Sequence, residues 1–399
     1  MNISKSLSKY ITGVLSLGLI AAFGGISLAE GSGDPRVRVV ELPTNSFDLG
    51  SREFSGDGST IAFVSDPWIS PEIFINTTDG WRLIYRYAGV GFDYPYVTGL
   101  SEDGSVLAFS DGNISLVYQD GLFVQLPQVW PDGPGIPVLS GRTFAAGVSG
   151  DGRVVGVNGR AGGNYNRHAV LIWDGDQQLI NLRDEEDDYT QNWVSGLSND
   201  GGVVFGSYER YESLNDIERT NVRHAWVYED GVMMDIPNLD LGFDLTSFVA
   251  AGSGNGEAIV GWSYGRWAFD PDDGDYTLNE GPGHAWIWTR ATGTIEIADP
   301  NRFADVRTRD ITDDAELVLG SAIGLDEEHH QILWYRTENQ FVIIDELLYR
   351  LGITIDADWY SFDQISSDGS KLMGLSQRDG KYSALIVTIP VRGRAISVE

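Results

Sequence analysis

A polar turn followed by an apolar run recurs along the chain: FSGDGSTIAF from Phe54, LSEDGSVLAF from Leu100, VSGDGRVVGV from Val148, LSNDGGVVFG from Leu197 and ISSDGSKLMG from Ile365. Aligned on the turn acid, the units fall at Asp57, Asp103, Asp151, Asp200, Asn255, Asp314 and Asp368. Each continues with a second apolar run, a short polar turn and a third run, as in SLVYQDGLFVQL, AWVYEDGVMMDI and AWIWTRATGTIEI. With the stretch before the turn, every unit offers four short strands, here a to d. Strand b is apolar on both parities (RVVGV, GVVFG, EAIVGW, ELVLG), so neighbouring sheets must cover both of its faces. Strand a is rich in small residues (YVTGLS, FAAGVS, WVSGLS, FVAAGS), which suits the crowded innermost position of a blade. Seven such units predict an all-β protein, a seven-bladed β-propeller of four-stranded antiparallel blades.

The last unit stops at SALIVTIP, Ser383 to Pro390, its strand c, and no strand d follows. RVRVVELP, Arg36 to Pro43, precedes the first unit without a partner of its own. It is expected as the outer strand of the last blade, joining the two ends and removing two sheet edges open to aggregation. The S-x-D-G piece reads as the a–b hairpin turn: Asp tolerates the left-handed region and Gly supplies positive φ. Because a ring holds the seven turn acids apart, they read as turn formers and not as a catalytic or calcium-binding set. Residues 36–390 form the expected propeller, 30–35 a linker and 391–399 a tail.

Lys5 and Lys9 precede an apolar run from Ile11, and Ser27 and Ala29 stand where a signal peptidase would cut, so residues 1–29 read as a secretory signal. The protein is therefore expected outside the cytoplasm of a bacterium, periplasmic or secreted, with no membrane span after cleavage. There is no cysteine for lipidation or disulfides, so packing alone must stabilise it. Loss of the leader, which carries two lysines and no acids, takes the formal charge from −31 to −33. That charge makes nucleic acid and anionic membranes poor partners. It does not signal disorder, because 42% of residues are apolar and 12 Trp, 17 Tyr and 16 Phe need a core.

In such blades the a–b and c–d turns share one face, and the b–c loops and d–a links share the other. Here the turns are short and the variable length lies opposite, so that loop face is the expected binding surface. Its candidate ligand-binding residues are Trp68, Tyr94, Trp130, Arg160, Tyr165, Arg167, Trp193, Arg210, Tyr211, Arg266 and Trp267. Aromatic platforms with bidentate Arg donors suit a polyhydroxylated or carboxylated ligand such as a glycan. His168, His224, His284 and His330 recur at the start of strand c, which argues for a structural role. A lyase would nevertheless use His168 or His224 with Tyr165 or Tyr211 and Arg223 as acid, base and charge neutraliser. GWSYG around Ser263 formally matches a nucleophile elbow but lacks the strand-to-helix context that motif needs. DPDDGD, with Asp270, Asp272, Asp273 and Asp275, offers a loose calcium site but misses the EF-hand spacing; no other cofactor is expected.

HAWVYEDGVMMDI and HAWIWTRATGTIEI resemble the HAF family of extracellular bacterial repeats, and FSGDGSTIAFVSD with LSEDGSVLAFSDG resembles the TolB-type propeller repeat. Both resemblances imply an exported propeller, and neither carries a common reaction. The preferred reading is a binding or scaffold module presenting its loop face to a glycan, a peptide or an extracytoplasmic protein. The alternative is a polysaccharide lyase or glycosidase on acidic polysaccharides.

Overall fold

The computed structural model describes residues 34–43, 51–65, 71–86, 95–111, 114–126, 139–161, 168–173, 180–181, 189–215, 218–241, 245–265, 267–270, 275–278 and 282–391. The expected leader lies outside them, as do most of the expected linker and tail. The fold is an all-β propeller of four-stranded antiparallel blades. Among the described residues seven four-stranded sheets are present, each in the order a-b-c-d. The first holds Arg52–Phe54, Ile61–Ser65, Glu72–Thr77 and Gly80–Arg86, and the second begins at Pro95–Leu100. The third to sixth have Leu139–Val148, Tyr189–Leu197, Leu245–Gly252 and Phe303–Ile311 as strand a. The seventh holds Trp359–Ile365, Lys371–Arg378 and Lys381–Thr388, and its fourth strand is Val37–Glu41, paired antiparallel with Val40 opposite Ala384. One helix, Ile344–Arg350, lies in the link between the sixth and seventh sheets, and no described helix is long and apolar enough to cross a membrane.

The core is distributed between sheets. Seven clusters of buried side chains each join two neighbouring sheets, for example Val106, Ala108 and Val117 with Ala145, Val155 and Val157. The cluster of Val40, Leu42, Met373, Leu375 and Ile386 with Phe54, Ile61 and Phe63 joins the seventh sheet to the first. Each large aliphatic or aromatic side chain buried this way contributes about 1.5–3 kcal/mol.

The repeated turn has one construction throughout. The Ser or Thr hydroxyl donates to Oδ1 of the turn Asp or Asn at 2.6–2.9 Å. It accepts the backbone N–H five residues on at 2.9–3.1 Å. The same Oδ1 accepts the N–H two residues past the acid, as Ser105 donates to Asp103 at 2.9 Å. The acid itself does not adopt the left-handed conformation expected of it: Gly58, Gly104, Gly152, Gly201, Gly256 and Gly369 do, at φ 66–73°, and so does Ala315 at 60°. The acid's work is to cap, and the N–H of Ser105 holds the Asp103 carboxyl below its ordinary value. Successive turns are joined by backbone bonds, from the N–H of Asp57 to the Glu102 carbonyl and onward until the N–H of Ser367 donates to the Gly56 carbonyl.

Two segments expected as loops are strands. Strands b and c of the fourth sheet, Val203–Asn215 and Glu218–Glu229, form a long hairpin, with Tyr211 opposite Asn221. YERYESL carries Tyr and Leu at β-friendly positions before the ND turn, and pairing satisfies backbone groups that an exposed loop would leave to water. The insertion of the fifth sheet carries its own hairpin, Trp267–Asp270 with Asp275–Leu278.

Candidate functional site

The innermost strands enclose a cavity of about 570 Å3, within the range of ligand pockets. Its geometry follows from a bulge repeated in strand a. In six sheets the a–b register skips one residue: Thr98, Ala146, Ser195, Ala250, Arg309 and Asp363. A bulge re-aims the side chains at it, and all six residues line the cavity. In four sheets a strand-b glycine makes room beneath the bulge. A Cβ at Gly206, Gly261, Gly320 or Gly374 would overlap the carbonyl oxygen of Trp193, Phe248, Arg307 or Ser361.

The cavity has two unlike walls. Across the second to fifth sheets the bulge residue and its successor are small: Thr98-Gly99, Ala146-Gly147, Ser195-Gly196 and Ala250-Ala251. Across the sixth, seventh and first sheets the same register carries Arg309-Asp310, Asp363-Gln364 and Arg52-Glu53. Asp363 accepts from Arg309 Nη1 at 2.8 Å and from Arg52 Nη2. Gln364 Nε2 donates to Glu53 Oε2 at 3.0 Å, and its Oε1 accepts the N–H of Phe54 at 3.0 Å. Asp310 accepts the N–H of Ile365 at 2.8 Å and of Ile311 at 2.9 Å. Arg52 Nε and the Ser51 hydroxyl are buried without a hydrogen-bond partner.

Burial pushes the Glu53 carboxyl up to about 7; the Gln364 bond opposes this and the nearby Asp310 carboxyl reinforces it. Burial also pushes Asp310 up to about 7, against its two backbone N–H bonds. At the turn end of the channel, Ser367 donates to Glu102 and Asn199 donates to Asp313 at 2.6 Å. Burial raises both of these carboxyls as well. These four carboxyls line the channel without a salt bridge, although Arg52 attracts Glu53 at longer range, while Asp363 pairs with both arginines.

The sequence reading missed this wall. Its signal was present: REF, RDI and DQI stand where other units read TGL, AGV and SGL before the turn.

Of the residues expected at the site, Trp68, Tyr94, Trp130, Tyr165, Arg167 and Arg266 lie outside the described residues, as do Asp272 and Asp273. Arg160, His168, Arg210, Tyr211, Trp267, Asp270 and Asp275 are placed in strands with their side chains not described. Asp270 and Asp275 face each other across the end of the inserted hairpin. Trp193 belongs to strand a of the fourth sheet and not to a loop. Its ring packs on the Arg223 guanidinium at 4.4 Å, which Phe248 covers at 4.1 Å and Glu209 pairs at 2.6 Å. Arg223 is therefore held as a clamp between sheets. His224 stacks on Tyr208 at 5.1 Å, His284 Nδ1 lies 2.7 Å from Glu296, and His330 meets the Phe303 ring edge-on. None of these three lines the cavity. Ser263 is buried within strand b, 2.8 Å from the Ser247 hydroxyl, and forms no elbow. Asp326, Glu328 and His330 bring ligand atoms within 4.8 Å of one another on an exposed turn, an arrangement common without a metal.

The fold and the cavity define a β-propeller with a polar central channel. No family model matches the chain, and no curated protein matches it. Two solved structures are similar along most of its length. The β-propeller domain of the Trilobed protease from Pyrococcus furiosus, described as having an open velcro topology, gives a TM-score of 0.50 at 13% identity, covering 85% of this chain and 94% of that one. An oligogalacturonate lyase in complex with manganese gives 0.50 at 14% identity, covering 90% and 92%. At such identities the likeness is one of fold.

Proposed function

We propose that the protein is an exported binding or scaffold propeller, a seven-bladed ring closed by its N-terminal strand, whose ligand seat is the central channel. The ring reading is supported by the seven sheets, by clusters between every neighbouring pair and by turn-to-turn bonds that return to Gly56. Export rests on the leader-like first 29 residues, and kinship with the HAF-type repeats rests on the His-Ala-aromatic units. The observation that carries the binding reading is the one-sided wall. Polar residues occupy the bulge register in three consecutive sheets and small residues in the other four, which leaves both room and recognition chemistry.

Strand a runs from the loop face to the turn, so the Arg52–Asp363–Arg309 level is nearer the loop face and the Glu102–Ser367 level is deeper. A ligand enters from the loop face. A small glycan, a peptide or a segment of an extracytoplasmic protein is the class of ligand this admits.

The test uses Ser195→Trp, which fills the channel from an exposed position on the small wall. The mature protein is titrated calorimetrically against uronate oligosaccharides and short peptides. A ligand bound one to one by the native protein and lost in Ser195→Trp supports the reading. Binding untouched by Ser195→Trp would move the site elsewhere, and release of unsaturated sugar, followed by ultraviolet absorbance, would overturn the non-catalytic reading.

A further inference from the structure

The levels of charge along the channel specify more than polarity. At the outer level two partly exposed guanidiniums share the single carboxylate of Asp363, leaving a net positive charge and N–H groups beyond those that bond it. One residue deeper, Glu53 and Asp310 flank Gln364 and have amide and backbone donors but no salt bridge, Arg52 attracting Glu53 only at longer range. Three positions deeper again, ~10 Å at ~3.3 Å per residue, Glu102 and Asp313 repeat the situation with Ser367 and Asn199. A level of arginines therefore lies directly above a level of carboxyls, with a second carboxyl level at the turn end.

Resting on the reading of the channel as a ligand seat, we propose that it takes a basic α-amino acid of the lysine type. The ligand carboxylate meets the free N–H groups of Arg309 and Arg52. The α-ammonium meets Glu53 and Asp310, and the flexible four-carbon stem carries the second ammonium along the small-residue wall toward Glu102 and Asp313. The cation supplies what these carboxyls lack, which accords with their raised proton affinity. The acidic field of the whole chain, −31 in formal charge, concentrates such a ligand at the mouth.

The experiment is calorimetric titration of the native protein at pH 8 and low salt with L-lysine, norleucine and cadaverine. Norleucine lacks the side-chain ammonium, and cadaverine lacks the carboxylate. Lysine is expected to bind one to one, at least tenfold tighter than either analogue. Arg309→Gln should weaken lysine at least tenfold and leave cadaverine unchanged. Glu53→Gln should weaken lysine and cadaverine alike, with thermal melts confirming that both variants fold. Lysine binding no tighter than norleucine or cadaverine, or unchanged in Ser195→Trp, overturns the proposal. Absence of lysine binding beside an oligosaccharide or peptide that Ser195→Trp displaces would overturn it while leaving the channel as a binding seat.

Discussion

Glu53→Gln removes one channel carboxyl without changing its shape or the bond from Gln364. The sign of its effect follows from the raised proton affinity. A carboxyl whose value climbs from 4.5 to about 7 on folding holds its proton more tightly in the folded state. Its contribution is neutral below about pH 4.5 and becomes increasingly destabilising as pH rises toward 7, where the buried group must ionise. At 1.36 kcal/mol per pH unit the full shift corresponds to ~3 kcal/mol. Glu53 is partly accessible from the channel and its shift is shared with Asp310, so about half, ~1.5 kcal/mol, is expected. Melting curves of native protein and Glu53→Gln should therefore coincide near pH 4.5. At pH 8.5 they should differ by a few degrees, at ~2 °C per kcal/mol for a chain of this size, with the variant the more stable. A difference that stays constant across that range, or a native protein more stable at pH 8.5, would refute the picture of uncompensated carboxyls in the channel.

Ser149→Ala deletes the hydroxyl that caps Asp151 and receives the N–H of Val154; leaving that partly buried donor orphaned should cost ~1 kcal/mol, read as a lowered melting temperature. Gly206→Ala forces a Cβ into the carbonyl oxygen of Trp193 and the ring of Trp226, so a loss above ~3 kcal/mol or recovery only as insoluble protein is expected. Deleting residues 34–43 removes the buried Val37, Val40 and Leu42 and bares the strand Lys381–Thr388 as an edge; light scattering should show association during mild heating that the intact chain does not.

Much of the architecture was legible because its determinants are local and repeated. Ser, Asp and Gly in one turn fix a hairpin whatever surrounds it, and the position of Val37–Glu41 follows from counting strands. The site was harder to read because its determinants are the exceptions within that repeat. Arg52-Glu53, Arg309-Asp310 and Asp363-Gln364 resemble ordinary surface polarity when met singly. The aim of Arg309 and Asp363 depends on a bulge that no residue type announces, and the nearness of Arg52 to Asp363 depends on the first sheet lying beside the seventh. Trp193 and Tyr211 were misplaced for a related reason: polar residues scattered among aromatics looked like loop composition, where cross-strand pairing in fact extends the blade.

Part of the polar wall lies between the seventh sheet and the first. Asp363 and Gln364 belong to the sheet completed by Val37–Glu41, and Arg52 and Glu53 belong to the next sheet along. Their mutual bonds, Arg52 to Asp363, Gln364 to Glu53 and the Phe54 N–H to Gln364, therefore join the seventh sheet to the first. A propeller optimised only for stability would place small residues here, as the other four sheets do, and avoid the cost of desolvating carboxyls. On the proposed reading two equilibria are coupled: a ligand cation that neutralises Glu53 relieves a cost borne by a residue bonded to Gln364 across the first and seventh sheets. On that reading ligand binding and resistance to opening at the N-terminal strand should rise together, which distinguishes a site that spans the first and seventh sheets from one merely lying within the channel.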